Sequence, residues 1–201
     1  MKKGFTLVEL LIVIGLLGAI ALIVISAINP IEQANRARDT KFKADGSQLV
    51  SAIERYYTQK SEFPWTTESA ASYPSADTAF AFVSATNLGV GICGTSAASC
   101  QTDGWLLSND ELKSEFRGRD FIKGNPTGVK VIMVGKATGS SSSIYACFIP
   151  LSKSVRDKAC ADGKVYTLAG SVRTPLGAAN ANCAAGSATW ISAPQYVCLP
   201  E

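Results

Sequence analysis

The fold is decided by residues 1–31, MKKGFTLVELLIVIGLLGAIALIVISAINPI. Within this stretch, the run from Leu10 to Ile31 contains no charged residue. Roughly 20 apolar residues are enough for a helix to cross the hydrocarbon core of a bilayer. Gly15 and Gly18 are small positions at which a second helix can approach closely. The sequence therefore predicts a membrane-spanning helix with one carboxylate, Glu9, at the start of its apolar surface.

A secretory signal peptide or a plain single-pass anchor would also explain the apolar run. Lys2 and Lys3 resemble the basic start of a signal peptide, and Ala19-Ile20-Ala21 resembles its cleavage site, but the apolar run continues well past that site. Neither alternative explains Glu9, because a charge inside a membrane costs roughly 2.5–3.5 kcal/mol near the centre and less toward the interface. Glu9 therefore indicates a role beyond anchoring.

The residues Gly4-Phe5-Thr6-Leu7-Val8-Glu9-Leu10 resemble the processing site of type IV prepilins and the related pseudopilins. The resemblance implies that a prepilin peptidase cuts after Gly4 and that Phe5, the new N-terminal residue, is N-methylated. It also implies that Glu9, at the fifth mature position, is the assembly glutamate. Cleavage would create an ammonium at Phe5, and a buried carboxylate needs such a cationic partner. In the family, this neutralisation sets the register between neighbouring subunits of a filament.

The sequence predicts that the helix continues beyond the membrane segment, from about Phe5 to about Lys60. Pro30 disfavours helical geometry at Asn29, so we expect a kink or local melting there. Beyond the proline, apolar residues recur at helical spacing, at Phe42, Leu49, Ile53, Tyr56 and Tyr57. A helix of that length would extend over roughly 84 Å, and its first half has no core of its own to bury it outside a membrane. We therefore expect it to pack against copies of itself.

The predicted fold is α+β, a long N-terminal helix whose C-terminal half packs on a small antiparallel sheet. The predicted regions are a leader peptide at 1–4, a transmembrane and filament-core half-helix at 5–31, an amphipathic half-helix at 32–60, a connecting region with short helices at 61–128, and a sheet with a disulfide-stapled C-terminal region at 129–201. Short helices are predicted at Thr78 to Ala85 and at 109–117, the latter with a capping box of Ser108 and Glu111. Strands are predicted at Val129 to Val134, Ile144 to Ile149, Lys164 to Leu168 and Ala188 to Ser192.

The six cysteines are predicted to form disulfides, which places their domain outside the cytoplasm. Six cysteines allow 15 connectivities, and sequence alone does not choose among them. We favour pairs of sequence neighbours, which are Cys93–Cys100, Cys147–Cys160 and Cys183–Cys198. The last of these would staple the final loop, as in the C-terminal disulfide region of many pilins.

Enzymatic function is not expected, because the chain contains no histidine and no convincing nucleophile pair or phosphate-binding loop. No cofactor and no metal site is predicted. Related secretion pseudopilins often bind calcium through acidic residues in a C-terminal loop, but after Asp162 this chain has no Asp and only Glu201.

The net charge of +3 is too small to indicate nucleic-acid binding. The basic stretch from Arg36 to Lys43 is interpreted as a solvated helix face paired with Asp39 and Asp45, with contact to anionic lipid or nucleic acid as the alternative. Nucleic acid is a possible partner, but no feature of the sequence supports it. Basic residues are usually more numerous on the cytoplasmic side of a membrane helix, so the cations after the apolar run argue against a cytoplasmic N-terminus. The cysteines and the processing motif favour a cytoplasmic N-terminus, and we follow them.

The resemblance implies a structural protein, the subunit of a type IV pilus-like surface filament. Its expected partners are identical or homologous subunits, a prepilin peptidase, an ATPase-driven membrane assembly platform and membrane lipid. We expect a single-pass precursor in the cytoplasmic membrane with its N-terminus in the cytoplasm, and an extracellular or periplasmic filament after assembly. The alternatives are a pseudopilin of a type II secretion system and a membrane-anchored extracellular domain.

Overall fold

The computed structural model describes residues 4–27, 29–68, 79–94, 100–124, 126–139, 142–177, 181–184 and 186–200. The chain divides into two compact units, Met1–Ala34 and Asn35–Glu201. The first unit contains helix α1, Leu7–Ala27. Helix α2, Pro30–Lys60, begins in the first unit and supplies the central helix of the second.

The helix predicted to continue from Phe5 to Lys60 is two helices in the structure, interrupted at the predicted Asn29-Pro30 site. Asn29 caps α2, because its side-chain oxygen Oδ1 accepts a hydrogen bond of 3.2 Å from the backbone N–H of Glu32. Asparagine is a preferred N-cap residue, and proline is favoured at the first helical position, where its missing N–H leaves no partner unsatisfied. The break is therefore a capped helix start.

In the second unit, the predicted apolar stripe of α2 is buried at four of its five positions. Phe42, Leu49, Ile53 and Tyr56 are at most 2% exposed, whereas Tyr57 is 39% exposed. Among the described residues there are six strands, β1 Phe80–Ser84, β2 Met133–Lys136, β3 Ile144–Phe148, β4 Tyr166–Ala169, β5 Val172–Pro175 and β6 Val197–Leu199. The apolar stripe packs against a sheet with the strand order β1-β2-β3-β6. All neighbouring strands in this sheet are antiparallel.

Close packing of α2 on the sheet requires a small residue on the helix. A Cβ atom added to Gly46 would lie 3.1 Å from Leu199 Cδ1 and 3.4 Å from Ala146 Cβ. The ring of Phe42 lies edge-on to that of Phe148, with 5.9 Å between the ring centres. These contacts join α2, β3 and β6 into one apolar core. The predicted α+β class, with a long apolar N-terminal helix followed by an antiparallel sheet, is confirmed.

Shorter elements complete the second unit. They are the helices α3 Pro64–Glu68, α4 Trp105–Ser108, α5 Lys153–Ala161 and α6 Ser187–Ser192, and the 3-10 helices Leu88–Val90, Ser114–Gly118, Gly128–Lys130 and Ala181–Ala184. Strands β4 and β5 form a separate antiparallel hairpin whose turn contains Gly170, at a φ of 58°. Glycine adopts this left-handed conformation without a steric penalty.

Several predicted short elements are wrong. The segment predicted as a helix at Thr78 to Ala85 contains strand β1, although Thr78 itself lies outside the described residues. It is a strand because it pairs with β2, about fifty residues later in the chain. The strand predicted from Ala188 to Ser192 is helix α6, whose Trp190 is fully buried. The strand predicted from Val129 begins only at Met133, after a 3-10 turn.

The helix predicted at 109–117 is also wrong, because a turn follows α4 there and Asp110 has a left-handed φ of 59°. Glu111 caps no helix, since its carboxylate is buried and accepts hydrogen bonds from Arg55 at 2.8 Å and from Gln59 at 2.6 Å. A 3-10 helix at Ser114–Gly118 occupies the end of the segment. The local capping pattern was overridden by contacts with the distant helix α2.

The structure joins all six cysteines in three disulfides, which are Cys93–Cys100, Cys147–Cys198 and Cys160–Cys183. The predicted pairs Cys147–Cys160 and Cys183–Cys198 are therefore wrong. Cys147 and Cys198 are directly opposite each other on the paired strands β3 and β6, with 4.0 Å between their Cα atoms. Cys160 lies at the end of α5 and reaches Cys183 on a 3-10 helix instead. Tertiary neighbours rather than sequence neighbours decide two of the three bonds.

Candidate functional site at the N-terminus

The predicted processing site lies immediately before helix α1. Gly4, Phe5 and Thr6 have no regular secondary structure, and α1 begins at Leu7. Apart from the chain neighbours of Gly4, no described atom lies within 4 Å of the position a Cβ would take there, and Phe5 is 81% exposed. The peptide bond between Gly4 and Phe5 is thus sterically accessible to a peptidase.

The carboxylate of Glu9 takes part in a capping box with Thr6. Oε2 of Glu9 accepts hydrogen bonds from the backbone N–H of Thr6 at 2.9 Å and from its hydroxyl at 2.7 Å. In return, the backbone N–H of Glu9 donates to the Thr6 hydroxyl at 3.2 Å. This reciprocal arrangement satisfies backbone donors that every helix N-terminus leaves unpaired. This contact was not predicted, although Thr6 and Glu9 have the three-residue spacing of a capping box.

Glu9 lies at the start of an entirely apolar helix surface. Every described side chain of α1 is exposed within the first unit, and among its large apolar residues even the least exposed, Val13, is 45% exposed. The segment Leu7–Ile25 is long and apolar enough to cross a membrane. Because apolar surface left in water costs about 25 cal/mol per Å², such a helix needs lipid or other apolar helices around it. The site therefore combines a carboxylate, an accessible Gly-Phe bond and an apolar helix.

The cysteines of the second unit play no part in this arrangement. As disulfides they are not available as thiolate ligands, and the part of the chain that the structure describes has no group of three or more Cys, Asp or Glu placed to hold a metal ion. One disulfide closes the loop before α4, a second joins strands β3 and β6, and the third joins the end of α5 to a 3-10 helix.

The basic stretch differs from its predicted arrangement. Asp39 and Asp45 are buried, at 2% and 3% exposed, and do not lie on a solvated face. Asp39 pairs with Arg38 at 2.6 Å and also accepts hydrogen bonds from the backbone N–H groups of Leu151 and Ser152. Asp45 is 3.6 Å from Arg119, outside the basic stretch. Burial of Arg38 lowers the pKa of its guanidinium, and the neighbouring Asp39 charge opposes that shift.

Comparison with protein-family models places a known motif at the start of the chain. Residues 1–25 match the family model of the prokaryotic N-terminal methylation motif. No curated protein and no solved structure matches the chain. The motif implies cleavage by a prepilin peptidase and assembly into filaments, and the apolar helix that carries it fits a membrane-anchored precursor. With this motif at residues 1–25 and an apolar helix from Leu7, the N-terminus of the chain fits a type IV pilin-like prepilin.

Proposed function

We propose that this chain is a structural subunit of a type IV pilus-like surface filament and has no enzymatic role. The observation that carries the proposal is α1, an apolar helix that is exposed on all sides and has one carboxylate in its first turn. A domain that folds and acts alone has no use for such a surface. A filament subunit needs an apolar surface on this helix while it is stored in the membrane, and again when the helix packs among copies of itself.

The capping box supports a change in the role of Glu9 upon cleavage. In the precursor, the Glu9 carboxylate is satisfied by Thr6 within its own chain. Cleavage after Gly4 would place an ammonium on Phe5, next to Thr6. Glu9 would then neutralise this ammonium on a neighbouring subunit, because an unpaired charge buried among apolar helices costs about 3–5 kcal/mol. Methylation of the amine leaves its positive charge in place, so Phe5 can be methylated without losing this pair.

The second unit is proposed to face the periplasm or the cell exterior. Three disulfides in a domain of this size favour an oxidising compartment. The precursor would then span the cytoplasmic membrane once with its N-terminus in the cytoplasm, where a prepilin peptidase and an ATPase-driven platform would process and assemble it.

The first test is the intact mass and N-terminal sequence of the protein recovered from its native host. We expect a mature chain that begins at Phe5 and carries one added methyl group. A chain that retains Met1 would favour a simple membrane-anchored domain, and a chain that begins after the apolar run would indicate a secreted protein. Either of these results would overturn the proposal.

A pseudopilin of a type II secretion system is the second candidate, because the same motif occurs in both kinds of subunit. The three disulfides of the second unit favour the pilus. Deletion of the gene distinguishes the two functions. Loss of sheared surface filaments with normal protein secretion would support the pilus, whereas a secretion defect with normal filaments would support the pseudopilin.

A further inference from the structure

A groove in the second unit lies between helices α2 and α5. One wall is lined by Arg36 and Lys43, which are two turns apart on α2. The other wall is lined by Lys158 of α5 and by Lys164, which follows the end of that helix. The groove has a volume of about 390 Å³. A cavity of that size accommodates one small ligand or headgroup.

The groove combines positive charge at its walls with an apolar floor. Its floor includes Phe148 and Val197 from the sheet and Ala159 from α5, all of which are buried residues. The lining contains four cationic side chains and two carboxylates, Asp39 and Asp162, so the cations outnumber the carboxylates by two. Hydroxyl groups of Thr40 and Ser154 add hydrogen-bonding capacity.

The position of the groove along the chain indicates the source of its ligand. Arg36 follows Ile25, the last residue of the membrane-spanning segment, by only eleven residues. Even a fully extended chain of that length reaches at most about 40 Å. While the precursor is anchored, the chain therefore tethers Arg36 within that distance of the end of the apolar segment, and Lys and Arg residues that reach an anionic leaflet are attracted to it.

We propose that the groove binds the phosphate headgroup of an anionic phospholipid, with the apolar floor in contact with the lipid's glycerol and upper acyl chain. The lysines and Arg36 supply charge for the phosphate, and the two hydroxyls supply hydrogen bonds. Nucleic acid fits less well, because a duplex needs a continuous basic stripe, whereas these cations surround one small cavity. This inference depends on the membrane anchoring of the precursor and not on its later assembly into a filament.

The test uses the full-length chain in lipid nanodiscs, either of phosphatidylcholine alone or with roughly one-third phosphatidylglycerol. Hydrogen exchange of the backbone amides of α5 is the readout. We expect exchange to slow about threefold or more in the anionic discs. In the double variant Lys158→Glu/Lys164→Glu, this protection should disappear.

The matched control is Lys113→Glu/Lys123→Glu, which makes the same change in net charge at two exposed lysines outside the groove. It should retain the protection of α5. Equal loss of protection in both double variants would mean that the protection of α5 reflects general attraction between the chain and an anionic surface, and this would overturn the proposal. Equal exchange in the two kinds of disc would also overturn it, as would equal protection by single-stranded DNA added to phosphatidylcholine discs.

Discussion

At the residue scale, Glu9 combines two roles that different substitutions can separate. Its oxygen accepts hydrogen bonds from Thr6, which requires an acceptor but no charge. Its proposed pairing with the Phe5 ammonium of another subunit requires the charge. Glutamine retains an acceptor oxygen and loses the charge, whereas removal of the Thr6 hydroxyl weakens the cap and leaves the carboxylate unchanged.

We predict that Glu9→Gln lowers the yield of sheared surface filaments to less than about one-tenth of wild type, because the Phe5 ammonium is left unpaired. The amount of chain in the membrane fraction should not fall. Thr6→Val should leave at least about half of the filaments, since loss of a helix cap costs only about 1 kcal/mol. Thr6→Ser, which keeps the hydroxyl, serves as the control for the cap. Normal filaments from Glu9→Gln would mean that Glu9 is a cap alone.

Asp45 gives a prediction about pH. Burial raises the pKa of its carboxyl, the charges of Arg119 and Lys41 oppose that shift, and Asp120 adds to it. Its Oδ2 atom is buried without a hydrogen-bond partner among the described residues. A carboxyl with a raised pKa stabilises the fold while it is protonated, and this contribution is lost as the pH rises through the folded-state pKa. An asparagine side chain at this position would stay neutral at every pH.

We therefore expect Asp45→Asn to increase the free energy of unfolding at pH 7 by about 1 kcal/mol or less, with the gain vanishing near pH 3. Urea unfolding of the full chain in detergent, followed at several pH values, measures this. Asp120→Asn is the matched control, because the hydrogen bond from Lys41 lowers the pKa of Asp120 and the sign reverses. That variant should lose stability at pH 7, by at most about 1 kcal/mol, and match wild type at low pH. A loss of stability in Asp45→Asn at pH 7 would contradict the argument.

At the element scale, the sequence predicted long helices better than short elements. The amphipathic stripe of α2 and its start at Pro30 depend on local spacing and proline geometry, which the sequence displays directly. Strand β1 and helix α6 depend on distant partners, because β1 pairs with β2 and Trp190 of α6 enters a core built by other segments. The Thr6–Glu9 contact was predictable from the three-residue spacing of the two residues alone.

The disulfide pairing also depends on contacts between distant segments, which the sequence does not display directly. The lengths of the loops that the disulfides close lead to a stability prediction. Cys147–Cys198 closes a loop with a sequence separation of 51 residues, whereas Cys93–Cys100 closes one of 7. Loop entropy predicts that the longer cross-link contributes roughly 1.5–2 kcal/mol more to the free energy of unfolding. All four of these cysteines are buried, so replacement by alanine removes similar packing in each case.

We expect the double variant Cys147→Ala/Cys198→Ala to unfold at a clearly lower urea concentration than Cys93→Ala/Cys100→Ala, with wild type the most stable. Fluorescence of the buried residues Trp65 and Trp190 can follow the transition in the full chain. Mass mapping of unreduced peptides should independently identify Cys160–Cys183 as the third bond. Peptides that join Cys147 to Cys160 would contradict the pairing seen in the structure.

At the scale of the whole molecule, the two compact units contain different functional features. The first contains the processing site, the capping box and the apolar helix, and the second contains a sheet, a core and three disulfides. The described contacts that stabilise the core of the second unit all lie after Ala34. Folding of the second unit and processing of the first should therefore be separable by substitution.

We predict that Gly4→Leu, which adds a branched side chain at the cleavage point, leaves the chain uncleaved in the membrane and abolishes filaments. Without cleavage no ammonium forms at Phe5, so Glu9 has no cationic partner among packed helices. The Tm of the second unit and its three disulfides should match wild type, because no described atom beyond the chain neighbours lies within 4 Å of a Cβ added to Gly4. Gly18→Leu is the control, since it adds the same side chain within α1 but leaves the cleavage site intact, and it should still be processed. Filaments built from uncleaved Gly4→Leu chains would show that assembly does not need the new N-terminus, and a lowered Tm would show that the two units are coupled.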